Sequence, residues 1–382
     1  MTLKMKKKFL IITTVPISLG FFKGQIQVLK KKFDIELVSS PEDRLIEICN
    51  EENVIGHAIS MKREISIFYD IKSLFQLIHL FKKIKPAVIH GSTPKAGLLS
   101  MFAGWLVKAP HRIYYIHGLR YQGNKGFKRS LLISMEKMSC YFATDIIAVS
   151  FGVKEIIEKE KITKKSIEII GNGSVNGIDL TFFSASKSEV PDLKELYKLN
   201  STNFVYGFVG RLVKDKGLYE LVQSFLKIYK KTPETRLLLV GNFEEGDTLD
   251  MNIKEEIITN PAIINVGFQK DVRPFFKMMT IFVFPTYREG FGVSLMEAAA
   301  MGVPSISSNI IGCNEIIKNG YNGILIPPRS IKSLTKTMRM VLKDKDKINE
   351  MSYVCRDYVG KKYEQNKLWE KTLNTYSKIL ES

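Results

Sequence analysis

The chain has 382 residues, 45% hydrophobic and 25% charged, with a net charge of +18. That length exceeds one ordinary core and argues for two domains, while the composition excludes a disordered or fibrous chain. Residues 1–200 hold 31 Lys and Arg against 19 Asp and Glu, and the remainder 26 against 20. The basic first half is therefore expected to meet an anionic partner, either nucleic acid or an anionic membrane surface.

The N-terminus, MTLKMKKKFLIITTVPISLGFF, places a basic run before an apolar one, as a signal peptide does. Pro16 breaks the apolar run and no small-x-small site follows, so the expectation is a first buried strand at Phe9–Thr13. No stretch approaches the roughly 20 apolar residues of a membrane-spanning helix. Short apolar strands then alternate with amphipathic helices, the pattern of parallel sheets covered by helices. Strand candidates are FLIITT, DIELVSS, AVIHGS, RIYYIHG, DIIAVS and IEIIGN, then FVYGFVGRL, RLLLVGN, AIINVGF, IFVFPT, PSISS and GILIPP. Six and six predict an α/β chain of two Rossmann-like domains, 1–175 and 203–364, with a Gly-, Ser- and Asn-rich linker region at 176–202. A final helix within 365–382 carries Trp369, Leu373, Tyr376 and Leu380 at spacings that put them on one face. Such a chain places its ligand in a cleft at the C-terminal ends of the strands. Cys49, Cys140, Cys313 and Cys355 are scattered, form no metal-ligand cluster, and read as reduced thiols of a cytoplasmic protein.

Two motifs carry chemistry. In YREGFGVSLMEAAAMG (287–302), Glu289 and Glu297 flank a Gly-Phe-Gly turn. A single helix would set them about 12 Å apart. The paired glycines instead predict a loop bearing Glu289 folded against a helix bearing Glu297. In GRLVKDKG (210–217) a strand ends at Gly210, Arg211 and Lys216 lie in the loop, and Gly217 opens an amphipathic segment. A helix start with fixed positive charges suits a phosphate. Each motif alone also fits a solvated surface, as acids at a helix start or as a basic turn. Neither is a Walker A or GxGxxG loop, so ATP hydrolysis and NAD chemistry are not indicated.

With VGFQKDVRPFF (266–276), IIGCNEIIKNGYNGILIPP (310–328), HGSTPKAGL and YYIHGL, these motifs resemble family 4 glycosyltransferases over nearly the whole chain. The first-half motifs are similar to the bacterial subgroup that builds capsule, O-antigen and lipid-linked oligosaccharides. The resemblance implies a GT-B fold, with two parallel sheets facing across a cleft and the last helix (365–382) returning to the N-terminal domain. The first domain would then bind the acceptor and the second the donor. The activity implied is retaining transfer from a nucleotide-diphosphate sugar, uridine being the usual base in this subgroup, to a lipid-linked or polysaccharide-precursor acceptor.

For the site, the resemblance implies that Glu297 accepts from the ribose hydroxyls and that Arg211 and Lys216, following Gly210, grip the diphosphate. Glu289 would face the transferred sugar, and the amides of Gly290, Phe291, Gly292 and Val293 would reach sugar hydroxyls or phosphate. His117, in YYIHG, would stand near the sugar as a catalytic residue. His90 and Lys95, in HGSTPKAGL, are acceptor-site candidates, each with a structural or surface reading beside it. One departure stands out: the first loop, TTVPISLGFFKG, lacks the paired glycines that many relatives carry there.

Asp344-Lys345-Asp346 spells the metal-binding DxD of another glycosyltransferase class, but it sits in a lysine-flanked connection with no apolar strand beside it. No metal or other cofactor is therefore expected. The segments 66–86 and 124–142 combine apolar and basic residues. Ile67, Ile71, Leu74, Phe75 and Ile78 follow helical spacing ahead of Lys82, Lys83 and Lys85, and Lys125, Lys128 and Arg129 precede Leu131 and Leu132. These stripes either cover the sheet or meet an anionic bilayer, which would make the protein cytoplasmic and peripheral to the inner face of the plasma membrane. Rival functions are a nucleotide-sugar epimerase, needing no acceptor, and a nucleic-acid-binding protein. The latter is disfavoured because no RNP stripe or helix-turn-helix signature occurs.

Overall fold

The structure, a computed structural model, describes residues 6–185, 190–244 and 247–381. The first five residues, MTLKM of the basic N-terminal run, and part of the expected linker region lie outside the described residues. The chain divides into two compact units, Met1–Gly177 with Gln365–Ser382, and Ile178–Glu364.

In chain order the first unit contains β1 (Lys7–Ile12), α1 (Gln25–Leu29), β2 (Phe33–Ser39), α2 (Asp43–Glu52) and β3 (Ile55–Ala58). It continues with α3 (Ile67–Ile84), β4 (Val88–Ser92), α4 (Pro94–Leu106), β5 (His111–Ile116) and α5 (Gly126–Phe142). β6 (Asp145–Ala148), α6 (Phe151–Lys159) and β7 (Ile167–Glu168) close the run. All pairings are parallel, in the order β3-β2-β1-β4-β5-β6-β7. β1 sits centrally, with Phe9 level with Ile35 on one side and Val88 on the other, and Phe9 through Ile12 are buried. A strand covered by helices on both faces needs apolar residues on both, which is why KKFLII lacks alternation. β3 was not expected from the sequence. Its IGHA is short and mostly exposed at the sheet edge, so it carries no apolar run to read.

The second unit contains β8 (Phe204–Val209), α7 (Leu218–Tyr229), β9 (Thr235–Val240), α8 (Met251–Thr259) and β10 (Ile263–Asn265). Then follow α9 (Arg273–Met278), β11 (Ile281–Phe284), α10 (Val293–Ala300), β12 (Ser305–Ser308), β13 (Gly323–Ile326), α11 (Ile331–Lys343) and α12 (Lys345–Tyr363). Its sheet, β10-β9-β8-β11-β12-β13, is parallel throughout. Both units are thus Rossmann-like. The segment from Ile178 onward, read from sequence as part of a linker region, belongs to this unit. Arg356 of α12 holds it by donating to the carbonyls of Leu180, Phe183 and Ala300.

The last helix, α13 (Gln365–Ile379), is part of the first unit. Its inward row is Leu368, Thr372, Tyr376 and Ile379, one step round from the expected face of Trp369, Leu373, Tyr376 and Leu380. Trp369 still packs closely: a Cβ on Gly24 would come within 2.7 Å of its ring, and its indole N–H donates to Asn176 at 2.7 Å.

Candidate functional site

Two loops of the second unit meet at the C-terminal ends of β8 and β11. After β8 the chain runs through Gly210 and Arg211 into a turn at Lys214–Lys216, and Gly217 opens α7. Gly217 has a φ of 72°, and a Cβ there would lie 2.1 Å from the Pro285 carbonyl oxygen. Only glycine lets the start of α7 lie so close to the loop after β11. Asp215 then ties the two together. Its carbonyl accepts from the Tyr287 amide at 2.8 Å and its carboxylate from Arg288 Nε at 2.6 Å. The Tyr287 hydroxyl donates to Glu220 Oε2 at 2.6 Å.

This clamp brings Lys216 and Glu289 into an ion pair, both side chains largely buried. Thr286 Oγ1 donates to the same Glu289 oxygen at 3.3 Å, and the Lys216 ammonium lies 5.1 Å from the centre of the Phe284 ring. Behind the Gly-Phe-Gly turn, Gly312 has a φ of 75°, and a Cβ on it would come within 2.9 Å of the Gly290 carbonyl. Its own carbonyl accepts from the Gly292 amide at 3.0 Å. Phe291 is buried edge-on against Tyr363, so its side chain anchors the turn. The expectation that four amides of this turn point at a ligand needs correction. Those of Gly292 and Val293 already donate to Gly312 and Phe291 carbonyls, which leaves Gly290 and Phe291.

Glu297 lies in α10, as expected, and is half-buried. Among the described residues its carboxylate has no hydrogen-bond partner, and burial pushes its pKa up to about 7. Desolvation without compensating donors disfavours the charged form, so this group gains from any hydroxyl pair that donates to it. Arg211 is over half exposed and pairs with Glu244 at 2.8 Å.

His117 belongs to the first unit, just past β5. Its ring is stacked between Phe21 and Tyr115, with centroids at 5.3 and 4.8 Å. Its Nε2 is buried without a hydrogen-bond partner among the described residues, and burial draws the pKa down to about 4, so the ring is neutral. A buried, unmatched ring nitrogen is costly and marks a place for a polar ligand group. Phe21 and Phe22 were missed in the sequence. The only trace there is an aromatic pair in the first loop where glycines were sought. Asp215 was missed too, because a lone acid between two lysines reads as a solvated turn.

The other first-unit candidates are corrected. His90 is fully buried, with Nε2 at 2.9 Å from the Tyr376 hydroxyl and Nδ1 at 3.3 Å from Ser92 Oγ. Both nitrogens are occupied inside the core, and burial with the nearby His117 lowers its pKa to about 3. Lys95 is also buried. It pairs with Asp70 at 2.7 Å and donates to the Glu64 carbonyl, so it ties α4 to α3 instead of meeting an acceptor phosphate. Lys125 and Lys128 are exposed at the start of α5. Arg129 pairs with Glu160 at 2.9 Å beside the Tyr121 ring, which takes it out of the expected basic trio. Asp344 caps α12 by accepting from the Lys347 amide at 3.0 Å. For α3, the reading in which the whole apolar stripe covers the sheet fails. Its buried row is Ser73, Leu77 and Phe81, and Ile67, Ile71 and Phe75 are exposed.

Comparison with known proteins accords with these two units. Residues 190–357 match the family described as Glycosyl transferases group 1, and residues 16–150 the family Glycosyl transferase 4-like. The chain belongs to the family 4 glycosyltransferases and has their GT-B architecture of two Rossmann-like domains. It is 36% identical over 376 residues, 98% of each chain, to the capsular polysaccharide biosynthesis glycosyltransferase CapM of Staphylococcus aureus. It is 28% identical over 334 residues, 86% of this chain and 85% of the other, to an Escherichia coli enzyme. That relative is named UDP-Gal:alpha-D-GlcNAc-diphosphoundecaprenol alpha-1,3-galactosyltransferase. Among solved structures, Anabaena HepE in complex with UDP superposes with a TM-score of 0.79 at 17% identity, covering 98% of this chain and all of that one.

Proposed function

We propose that this glycosyltransferase moves a sugar from a UDP-sugar, with retention and without a metal, onto a lipid-linked precursor of a cell-surface glycan. The observation that carries the reading is the Lys216–Glu289 ion pair clamped between two loops of a unit that also holds the unpartnered Glu297. CapM and the E. coli enzyme support the capsule and lipid-diphosphate assignment by their named activities.

In this reading Glu297 accepts from the ribose hydroxyls. The diphosphate takes Arg211 from the exposed Glu244 and lies beside Lys216, where fixed positive charge stabilises the departing group. The bond from the anomeric carbon to the diphosphate oxygen breaks, and its electron pair leaves with the nucleotide. The acceptor oxygen bonds to that carbon on the same face and gives its proton to the departing phosphate. Glu289 binds hydroxyls of the transferred sugar, and neutral His117 offers its unmatched Nε2 to a hydroxyl. Lysine charge at the start of α5 adds attraction to the inner leaflet, about 1 kcal/mol per residue near an anionic surface, keeping the protein cytoplasmic and peripheral. No described helix is long and apolar enough to cross a membrane.

The test is incubation with UDP-sugars and a diphospholipid-linked sugar in EDTA, with the product linkage read by NMR. An axial donor sugar should give an axial linkage. An inverted linkage, or strict dependence on Mg²⁺ or Mn²⁺, would contradict the proposal. Donor turnover without acceptor would point to an epimerase instead.

A further inference from the structure

The helices α3, α4 and α5 follow strands β3, β4 and β5 of a parallel sheet, so all three begin at its C-terminal edge. That end of the first unit also carries His117. Its outer surface is unusually apolar. Phe68 is 88% exposed, Phe127 84% and Ile67 70%, with Ile65, Ile71 and Phe75 also open. Scattered exposed apolar residues need no explanation, but two bare phenylalanines in the first turns of helices in one layer do.

The polar network shows that these tips share one end. Lys95 in the first turn of α4 pairs with Asp70 in the first turn of α3. Arg120, in the turn before α5, donates to the Arg63 carbonyl at 2.9 Å and pairs with Glu64 at 3.2 Å. The local acids Glu64 and Asp70 are thereby matched. Arg63, Lys125 and Lys128 remain exposed beside the apolar tips, and Lys62 lies 3.5 Å over the Tyr69 ring. Large apolar tips ringed by basic side chains suit the headgroup boundary of an anionic bilayer, where rings sink among acyl chains and lysines meet phosphates. A second copy of this chain would bring the same positive ring against itself.

We infer that Phe68 and Phe127, with Ile67 and the surrounding Arg63, Lys125 and Lys128, form a surface that inserts into an anionic bilayer at the acceptor end of the first unit. This rests on the lipid-linked acceptor proposed above and deepens it: adhesion comes from inserted rings as well as surface charge. A soluble enzyme can then reach a hydroxyl held close to the membrane without a spanning helix.

The experiment is co-sedimentation of the full chain with vesicles of phosphatidylcholine, with and without phosphatidylglycerol. The wild type should bind the anionic vesicles and release at high salt. Phe68→Ser with Phe127→Ser should lower partitioning by about tenfold or more, given the apolar area withdrawn. Tyr353→Ser, at an equally exposed site of the second unit, should change nothing. Equal partitioning of the double variant and wild type would overturn the inference. So would loss of a concentration-dependent dimer in the double variant with vesicle binding unaltered, which would identify a second copy as the occupant. Calorimetry with a UDP-sugar separates this from the functional proposal. Weakened vesicle binding with intact nucleotide binding supports the insertion surface, whereas a wild type that inserts but glycosylates no diphospholipid sinks the acceptor assignment alone.

Discussion

Glu297 is where the electrostatics of the site are most exposed to experiment. Burial lifts its pKa to about 7, whereas a free glutamate titrates near 4.3. If the ribose hydroxyls donate to its charged form, nucleotide-sugar affinity should rise with pH up to about 7 and then level off. Well below that value it should fall about tenfold per pH unit. The phosphates of a nucleotide-sugar have no ionisation near neutrality, so a slope in this range belongs to the protein. Calorimetry between pH 5 and 8 should show the slope in the wild type and none in Glu297→Gln; a flat wild-type profile would remove Glu297 from the ribose. Glu289 acts differently. If Glu289, held by Lys216, faces the transferred sugar as proposed, it acts mostly in the transition state. Glu289→Gln should therefore lower kcat more than it raises donor KM. A pure KM effect would put Glu289 in ground-state binding. At this scale the sequence was informative about the second unit, where glycines and charges at fixed spacing declare a loop against a helix start. It left His90 and Lys95 open between an acceptor role and a structural or surface one, and both are buried. A motif shows which residues are near each other, but not which side of the backbone a side chain takes.

At the scale of elements, Gly217 decides how closely the start of α7 approaches the loop after β11. Gly217→Ala would drive a methyl group into the Pro285 carbonyl and hold a residue at a φ of 72°. The expected cost is about 1–3 kcal/mol of stability, with weaker nucleotide binding because Lys216 and Glu289 lose register. An unaltered melting temperature and affinity would show that the loops are not clamped. α13 gives the contrasting case. Tyr376→Phe strips His90 Nε2 of its partner in a fully buried aromatic cluster, at a cost of about 1–3 kcal/mol. Its affinity for UDP alone should match wild type, since the residues proposed to hold the nucleotide lie in the other unit; reduced affinity would contradict that division. The alternation of strands and helices was legible because parallel strands buried on both faces leave apolar runs. β3 and the inward face of α13 were not. A short exposed edge strand has no such run, and an amphipathic face one step round shares most of its residues with its neighbour.

For the whole molecule, the +18 charge raises the expectation of an anionic partner, but composition cannot tell bilayer from nucleic acid or say which helix faces outward. The α3 stripe was open to a core reading because helical spacing alone does not fix which row meets the sheet. A further consequence follows from placing Arg211 and Lys216 at the departing diphosphate: transfer should persist in EDTA, and its complete loss would return attention to acids such as Asp344 and Asp346. The central claim is that a nucleotide-sugar sits between Lys216, Glu289 and Glu297. It is tested most directly by thermal unfolding with a panel of UDP- and GDP-sugars in EDTA. A ligand at about 100 times its dissociation constant stabilises by about 2.7 kcal/mol. An upward shift is expected with a UDP-sugar in the wild type, cut by about half or more in folded Glu297→Ala, whose lost charge-assisted contact should weaken binding by about 1.5–3 kcal/mol. No shift with any nucleotide-sugar, or an undiminished shift in Glu297→Ala, would contradict it.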